Sequence, residues 1–508
     1  MAATLSRLKS ELPTASVPGK QTVPPSSNVG LLSALGLFTT IMMVVGGVIG
    51  SGIFRKAGVM AGQVGSPEIL LGVWLLAGVI TLFGALTNAE VASIIPETGG
   101  QYIYFERMFG PFFAYLYGWA VFAVIQTGSI AAVAYVFAEY ASQFVKLPEF
   151  SASVAAFSIH FPFIGDVAPL AEIGTKGVAA VLVVGLTAVN YVGVKLGGVV
   201  QNVFTIAKVA AMALLFLGAF LLPTGGTFSN LSTSSTLIHP TGFKMFLAVV
   251  AAMQGAFWAY DGWNKITYIA GEVKEPQRNI PLGLGIGMLI VIAIYMLINV
   301  AYAYVLPIDV MAHSKLVAAD VAEKCFKGGG RWIAAAVMIS TFGTANATIL
   351  ASARVYFSMS RRNVFPKFLG AAHPVFHTPA ASLIVQGIWS VLLLFSGTFD
   401  TLTDTLIFVS WVFYAAGAYG VFVLRRDQPD TPRPYRVPGY PYVPWIFVIF
   451  AGVYLVFSIY NDVVGYQAAV AAGKPAIINS AFGMALVLIG TPIYWFYRMR
   501  ARLVSKLE

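Results

Sequence analysis

Gly46-Gly47-Val48-Ile49-Gly50-Ser51-Gly52-Ile53-Phe54 interrupts an apolar segment that begins near Leu35. Four glycines at positions 46 to 52 make a poor helix interior, since each costs about 0.8–1 kcal/mol relative to alanine. In hydrocarbon a broken helix exposes N–H and C=O groups that lipid cannot satisfy, so a break is tolerated only where it lines a cavity or meets a partner. Two readings follow for Gly50-Ser51-Gly52. It is either a close contact between helices, which small residues permit, or an unwound hinge whose free backbone groups hold a polar ligand near the bilayer midplane.

Composition sets the frame. The chain has 508 residues, 58% of them hydrophobic and 10% charged, with a mean hydropathy of +0.79. A soluble domain carries about 25% charged residues, so an all-helical polytopic membrane protein is expected. The net charge of +10 comes with no basic helix or RNA-binding signature, which excludes a nucleic-acid partner. A single cysteine, Cys325, excludes an internal disulfide and a cysteine-based zinc site, and the five histidines show no ligand spacing. No metal and no cofactor is expected. Residues 1–30 are polar, with Pro13, Pro18, Pro24 and Pro25, and read as a disordered tail rather than a secretory signal.

Apolar runs of spanning length give about twelve transmembrane helices, near 36–60, 68–95, 101–145, 176–193, 196–222, 242–272, 281–306, 331–362, 379–398, 402–424, 441–463 and 476–498. The third and eighth exceed what a vertical helix needs and read as long and tilted. With the N-terminus inside, the internal segments hold 18 Lys and Arg against 8 in the external ones, which puts both termini in the cytoplasm. Arg55, Lys56, Lys208, Lys265 and Arg354 lie within or close to helices and stand outside that count. Glu90, near the inner end of the second helix, reads as interfacial, and the Arg361-Arg362 pair reads as a topology signal.

A second interruption lies in the sixth segment, Trp258-Ala259-Tyr260-Asp261-Gly262-Trp263-Asn264. An Asp-Gly pair with an asparagine, midway through an apolar run, is a turn signal. Asp261 is placed to cap the second half of that helix. The first and sixth segments are five apart, as they would be in two five-helix repeats of opposite topology. Paired glycine-interrupted helices at corresponding places point to a transporter binding site, and they favour the hinge reading of Gly50-Ser51-Gly52. The expected organisation is a tail over 1–30, a ten-helix core over 31–425 (repeats 31–225 and 240–425), two peripheral helices over 440–500, and a short cytoplasmic tail over 501–508.

Lys208 is the sharpest single residue. It is flanked by apolar residues for most of a span, and it lies about 20 Å of helix past Leu196. At that depth an ionisable side chain is a functional candidate, and snorkelling to an interface is the weaker reading.

Several motifs together resemble the amino acid–polyamine–organocation transporter superfamily, and within it the L-type amino acid transporter branch. They are Ile49 to Phe54, Glu97-Thr98-Gly99-Gly100-Gln101-Tyr102, Trp258 to Asn264, Glu272 to Pro281, Phe342 to Asn346, and Arg433-Pro434-Tyr435-Arg436-Val437-Pro438. The resemblance implies the inverted five-plus-five fold with discontinuous helices 1 and 6. It implies a substrate site at Val48, Ile49, Gly50, Ser51, Gly52, Ile53, Trp258, Ala259, Asp261 and Asn264. There the amides of Ser51, Gly52 and Ile53 would meet a carboxylate at the positive end of a half-helix. The carbonyls of Val48, Trp258 and Asp261 would meet an ammonium. Trp258 takes the place of an aromatic gate, and its larger ring either narrows the pocket or is absorbed by a backbone shift. Asp261 is either a cap or a further ammonium or proton contact. Asn264 either packs against the substrate or holds the break. The resemblance also implies that Lys208 replaces the sodium ion of sodium-coupled relatives, bonding the carbonyl of Gly47 or a neighbour and a hydroxyl of Thr341 or Thr344.

One departure bears on partners. Animal members of the branch carry a cysteine between helices 3 and 4 that links them to a single-span glycoprotein. The stretch 141–176 has none, so no disulfide-linked heavy-chain subunit is expected. A stand-alone carrier in the inner or plasma membrane is expected instead, surrounded by lipid and monomeric or weakly homo-oligomeric. The expected activity is sodium-independent exchange of neutral L-amino acids by alternating access. Proton symport, polyamine exchange and, from another class, a non-transporting amino acid sensor stand as alternatives. The chain shows no nucleophile–base pair, so it does not read as an enzyme.

Overall fold

The computed structural model describes residues 35–504, apart from 98, 163–164, 193–196, 233–239 and 377. The expected 1–30 tail lies outside the described residues, as do Thr98 and Leu196. Near the C-terminus the last helix runs on to Val504, so the boundary placed at 500 falls inside a helix.

The described chain is almost entirely helical. α1 (Leu37–Val48) and α2 (Gly52–Val64) form one bent span, the two halves meeting at 41°. α3 (Pro67–Ile94) returns, and α4 (Gln101–Phe109) is short. α5 (Pro111–Ala141), α6 (Ile173–Val192) and α7 (Gly197–Leu221) complete the first half. α8 (Phe243–Tyr260) is followed by a turn and by α9 (Lys265–Tyr268). α10 (Pro276–Val305) leads to two short helices, α11 (Ile308–His313) and α12 (Val317–Cys325). α13 (Gly329–Arg361), α14 (Ala380–Leu394), α15 (Phe399–Asp427), α16 (Tyr442–Ala471) and the pair α17 (Asn479–Leu488) and α18 (Gly490–Val504) follow. Ten of these helices are long and apolar enough to cross a membrane, and the bent pair makes eleven. α14, with 15 residues, spans about 22 Å and is shorter than a bilayer core. The chain is thus a multi-pass membrane protein.

The third segment departs from its expectation. It is two helices, not one long tilted one, because Gly110 takes φ +84° and Pro111 has no N–H to continue the ladder. The short α4 lies at the end of the bundle where α1 begins, called here the near end. The seventh segment starts earlier than read, at Pro276, and carries Pro281 inside it.

At the far end a two-stranded antiparallel hairpin, β1 (Ile159–Phe161) and β2 (Gly165–Val167), touches the α16–α17 turn through Gly165 and Ile477. Glu323 of α12 accepts from the amides of Gly328 (2.9 Å) and Gly330 (3.0 Å), which cap the start of α13. Those two amides hold its carboxyl below the usual carboxylate range.

Glu90 lies at the near end of α3 and is buried within the protein, with 1% exposure. Its oxygens accept from Arg425 Nε (2.8 Å) and Nη2 (2.7 Å) and from the Val437 amide (2.8 Å), with Arg433 Nε at 3.6 Å. The Arg425 guanidinium also lies over the Tyr440 ring at 3.6 Å. This knot ties α3 to α15 and to the loop that follows it. Glu90→Ala removes the shared anion from two arginines and is expected to cost about 3–5 kcal/mol. Thermal unfolding of the purified protein in detergent should show it as a lowered Tm, with Glu90→Gln falling between.

Candidate functional site

The two interruptions meet. The α1–α2 break and the α8–α9 break lie against each other near mid-bundle. Gly262, at φ +99°, is so close to Gly47 that a Cβ there would stand 2.5 Å from the Gly47 carbonyl oxygen. A Cβ on Gly52 would stand 2.4 Å from Ala259 Cα. The small-residue cluster is therefore both a close contact and a break. The near ends are joined as well, since Leu35 N donates to Glu272 O (3.0 Å) and Lys274 N to Leu35 O (2.8 Å).

The first break leaves donors free. α1 closes with the Ile49 amide on Val45 O at 2.9 Å, and the next backbone bond is Phe54 N to Ser51 O at 3.2 Å. The amides of Gly50, Ser51, Gly52 and Ile53 between them take no carbonyl among the described residues, and Ser51 Oγ is buried without a partner. These groups open the N-terminus of α2, where a helix favours an anion. On the acceptor side, Trp258 O receives the Asp261 amide (3.3 Å), and Val48 O and Ala259 O both face the Tyr295 hydroxyl.

Lys208 sits midway along α7 with 4% exposure. Its ammonium donates to Gly46 O (3.3 Å), Ile49 O (3.1 Å) and Thr344 Oγ1 (2.7 Å). Three donors on an ammonium thus find three acceptors, and the charge links the α1 break to α13. These contacts fall on some of the expected alternatives and not on others. The carbonyls are those of Gly46 and Ile49, because the chain turns between them, while Gly47 O points at Gly262. The hydroxyl is that of Thr344 alone. Thr341 Oγ1 is engaged with Val337 O (2.8 Å) and Met338 O (3.1 Å) in its own helix.

Asp261 is also reassigned. It ends α8 with extended backbone (ψ 158°) and does not cap α9, whose first flank is Asn264. Its Oδ1 accepts from Tyr414 OH at 2.7 Å. Asn264 holds the break rather than facing open space, since its Nδ2 donates to Gln101 Oε1 (2.9 Å). Gln101 Oε1 in turn accepts from Tyr117 OH (2.7 Å), which meets Tyr268 OH at 2.7 Å. On the near side of the breaks these neutral hydrogen bonds are joined by Lys265, whose Nζ donates to Thr348 Oγ1 of α13 at 3.1 Å.

The far side is closed by charge, and sequence reasoning missed it. Trp258 lies edge-on to Phe399 with ring centres 6.1 Å apart. Arg55 and Lys56 of α2 stand over the same Phe399 ring at 5.4 and 5.0 Å. Lys56 Nζ reaches Asp400 Oδ1 (2.6 Å) and Asp404 Oδ1 (3.5 Å), and Arg55 Nε reaches Glu139 Oε2 (2.9 Å). The signal was present. Arg55 and Lys56 are charges inside an apolar segment, and Asp400 and Asp404 are four apart and share a helix face. Their pairing across 344 and 348 residues was not readable from spacing.

A membrane-embedded helical bundle broken at two touching places, with free amides on one side and a buried ammonium behind, defines a carrier rather than an enzyme. The chain belongs to the amino acid permease family, whose pattern matches residues 35–494, and within that superfamily to the L-type amino acid transporter branch. It is similar to the human b(0,+)-type amino acid transporter 1, 31% identical over 409 residues, covering 80% of this chain and 79% of that one. It is similar to the serine/threonine exchanger SteT of Bacillus subtilis (strain 168), 31% identical over 419 residues, 82% of this chain and 88% of SteT. It is also similar to the mouse large neutral amino acids transporter small subunit 2, 30% identical over 485 residues, 94% and 84% of the two chains. The chain is an amino acid transporter.

Proposed function

We propose that the protein exchanges neutral L-amino acids across the cell membrane without sodium, by alternating access. The observation that carries this reading is the Lys208 ammonium, which joins the α1 break to Thr344 of α13. A fixed charge there does what a bound cation would do, so no ion gradient need be spent on it. The zwitterion's carboxylate docks on the amides of Ser51, Gly52 and Ile53, and its ammonium on carbonyls at the breaks, Val48 first. No charged side chain is needed for either end, which suits a site of low dielectric. The Trp258–Phe399 roof covers the side chain and favours small and medium neutral substrates. Two relatives, a serine/threonine exchanger and a large neutral amino acids transporter subunit, support the same class.

On this reading residues 31–225 and 240–425 are the two inverted repeats. The near end is cytoplasmic, as are both termini. The far end holds the outer gate. The protein works without a disulfide-linked partner, and its one cysteine, Cys325, is buried.

The test is counterflow in liposomes holding the purified protein, with a panel of labelled amino acids. Uptake confined to preloaded vesicles, and unchanged when potassium replaces sodium, is the expected result. Dependence on a sodium gradient would remove the role given to Lys208. Accumulation in unloaded vesicles driven by a pH gradient would establish symport in place of exchange.

A further inference from the structure

The chain between α5 and α6 is exposed but not polar. From 142 to 162 only Lys146 and Glu149 are Lys, Arg, Asp or Glu, two of 21 positions, where a surface facing water carries about 25–35% charged residues. In the same stretch Phe144, Val145, Phe150, Phe157, Ile159 and Phe161 are each 44–63% exposed. An apolar patch of that kind marks a membrane or protein contact.

The stretch is held in place. Pro148 O lies so close to Gly174 that a Cβ there would have no room. Asp166 N donates to Ala476 O (2.7 Å) in the α16–α17 turn, and the buried Lys176 ammonium donates to Ala168 O (3.1 Å) and Pro169 O (3.3 Å). β1 has two unlike faces. Ile159 and Phe161, two apart, point to one, and His160 points to the other, where its Nδ1 meets Asp166 Oδ1 at 3.1 Å.

Two observations say what covers the apolar side. The first is level. α6 has 20 residues and spans about 30 Å, the thickness of the hydrocarbon core. Gly174 is its second residue, so Pro148 crosses the bundle at the far edge of that core. The second is continuity. Val181, Val184 and Val189 of α6 are each more than half exposed and face lipid, and Val456 and Ile459 of α16 are exposed in the same way. The stretch runs from the far end of α6 to the α16–α17 turn, so its apolar side chains extend the lipid-facing surface. Depth is limited by the backbone. Residues 146–151 are neither helix nor strand, and backbone without a hydrogen-bond ladder is not tolerated in hydrocarbon. Only the side chains can enter.

We infer that residues 144–161 form a lipid-seated anchor. The Phe and Ile side chains lie in the acyl region of the far leaflet, and the backbone and the His160–Asp166 pair stay at headgroup level. The anchor fixes the far ends of α5 and α6 and the α16–α17 turn at one depth. It goes beyond the proposed exchange and needs only the membrane-spanning bundle.

Spin labels test it. In a Cys325→Ala background, Phe157→Cys, His160→Cys and Phe161→Cys are labelled one at a time in nanodiscs of phosphatidylcholine and phosphatidylglycerol that hold one copy. Labels in place of Phe157 and Phe161 should collide with oxygen more than with a water-soluble nickel chelate, and lie about 5–10 Å below the phosphates. The label in place of His160 should show the reverse. Equal accessibility at all three sites, wet or dry, would overturn the inference. Chelate access in nanodiscs that is lost when copies are crowded in liposomes would assign the face to a second copy and overturn it too. A second measurement leaves these residues unchanged. Wild-type protein in the same nanodiscs is photolabelled from a lipid carrying a diazirine in its acyl chain, with α6 as the internal standard. Adducts are expected on the 144–161 peptide as well as on α6. Adducts on α6 with none on 144–161 would overturn the inference whatever the labelled variants do.

Discussion

Lys208→Met is expected to lower amino acid uptake at least about a hundredfold while leaving a folded protein that can be extracted in detergent. Methionine has nearly the length of lysine but no charge and no donor. The substitution removes three hydrogen bonds at once, to Gly46 O, Ile49 O and Thr344 Oγ1. Bonds to a charged group are each worth about 1.5–3 kcal/mol, so a small part of the total suffices for that loss. The two carbonyls belong to the turn that separates α1 from α2. Without the ammonium that turn loses its charged link to α13, and the free amides from Gly50 to Ile53 lose a support that fixes their direction. Lys208→Arg should not rescue, because a planar guanidinium cannot fill a site built for a compact ammonium. Uptake by reconstituted protein, beside size-exclusion profiles for each variant, makes the measurement. A Lys208→Met variant with near-normal uptake would sink the role.

Gly52→Ala is expected to abolish uptake, and Gly50→Ala is expected to keep most of it. The two glycines lie two residues apart in the same break, so the contrast is a test of contact rather than of helix propensity. A methyl at Gly52 would meet Ala259 Cα at 2.4 Å, Ala259 Cβ at 2.7 Å and Ala259 N at 2.9 Å. These are mostly backbone atoms, so the two helices must separate, at about 1–3 kcal/mol or more. Separation moves the α2 amides away from the α8 carbonyls, the two groups proposed to hold one ligand. A methyl at Gly50 meets only Thr344 Cγ2 at 3.6 Å and Val48 O at 3.8 Å, which is ordinary contact. A leucine at Gly50 is a different matter, since its branches have to enter the space beside Thr344, and uptake should then be lost. Initial rates of exchange for Gly50→Ala, Gly50→Leu and Gly52→Ala decide the question. Equal loss in both alanine variants would mean that the break tolerates no side chain anywhere.

The far-side and near-side contacts at the breaks differ in kind. On the far side five charged groups, Arg55, Lys56, Glu139, Asp400 and Asp404, converge around Phe399. On the near side the contact between Gln101, Asn264, Tyr117 and Tyr268 is neutral.

Much of the site was legible in the sequence for a simple reason. Lipid forbids free backbone groups, so glycines crowded at Gly46 to Gly52 and an Asp-Gly pair at Asp261-Gly262 had to be breaks that met something. An ammonium at Lys208, alone in an apolar run, had to find acceptors. Composition and segment length likewise determined the all-helical class and the membrane setting, whereas the break signalled by Gly110-Pro111 was present but passed over.

Partner identity is what only the tertiary structure decided. Whether Lys208 meets Gly46 and Ile49 or Gly47, and Thr344 or Thr341, depends on the local turn and on helix rotation, which no periodicity fixes. Asp261 could cap the second half of its helix or make an ammonium or proton contact, and the bond it accepts from Tyr414, 153 residues away, was in neither reading. Lys56 with Asp400, Glu90 with Arg425, and Tyr295 with both breaks are contacts made across the bundle by packing. The sequence by itself shows that a buried charge or a broken helix must be satisfied. The residue that satisfies it is set by which helix faces lie together in space.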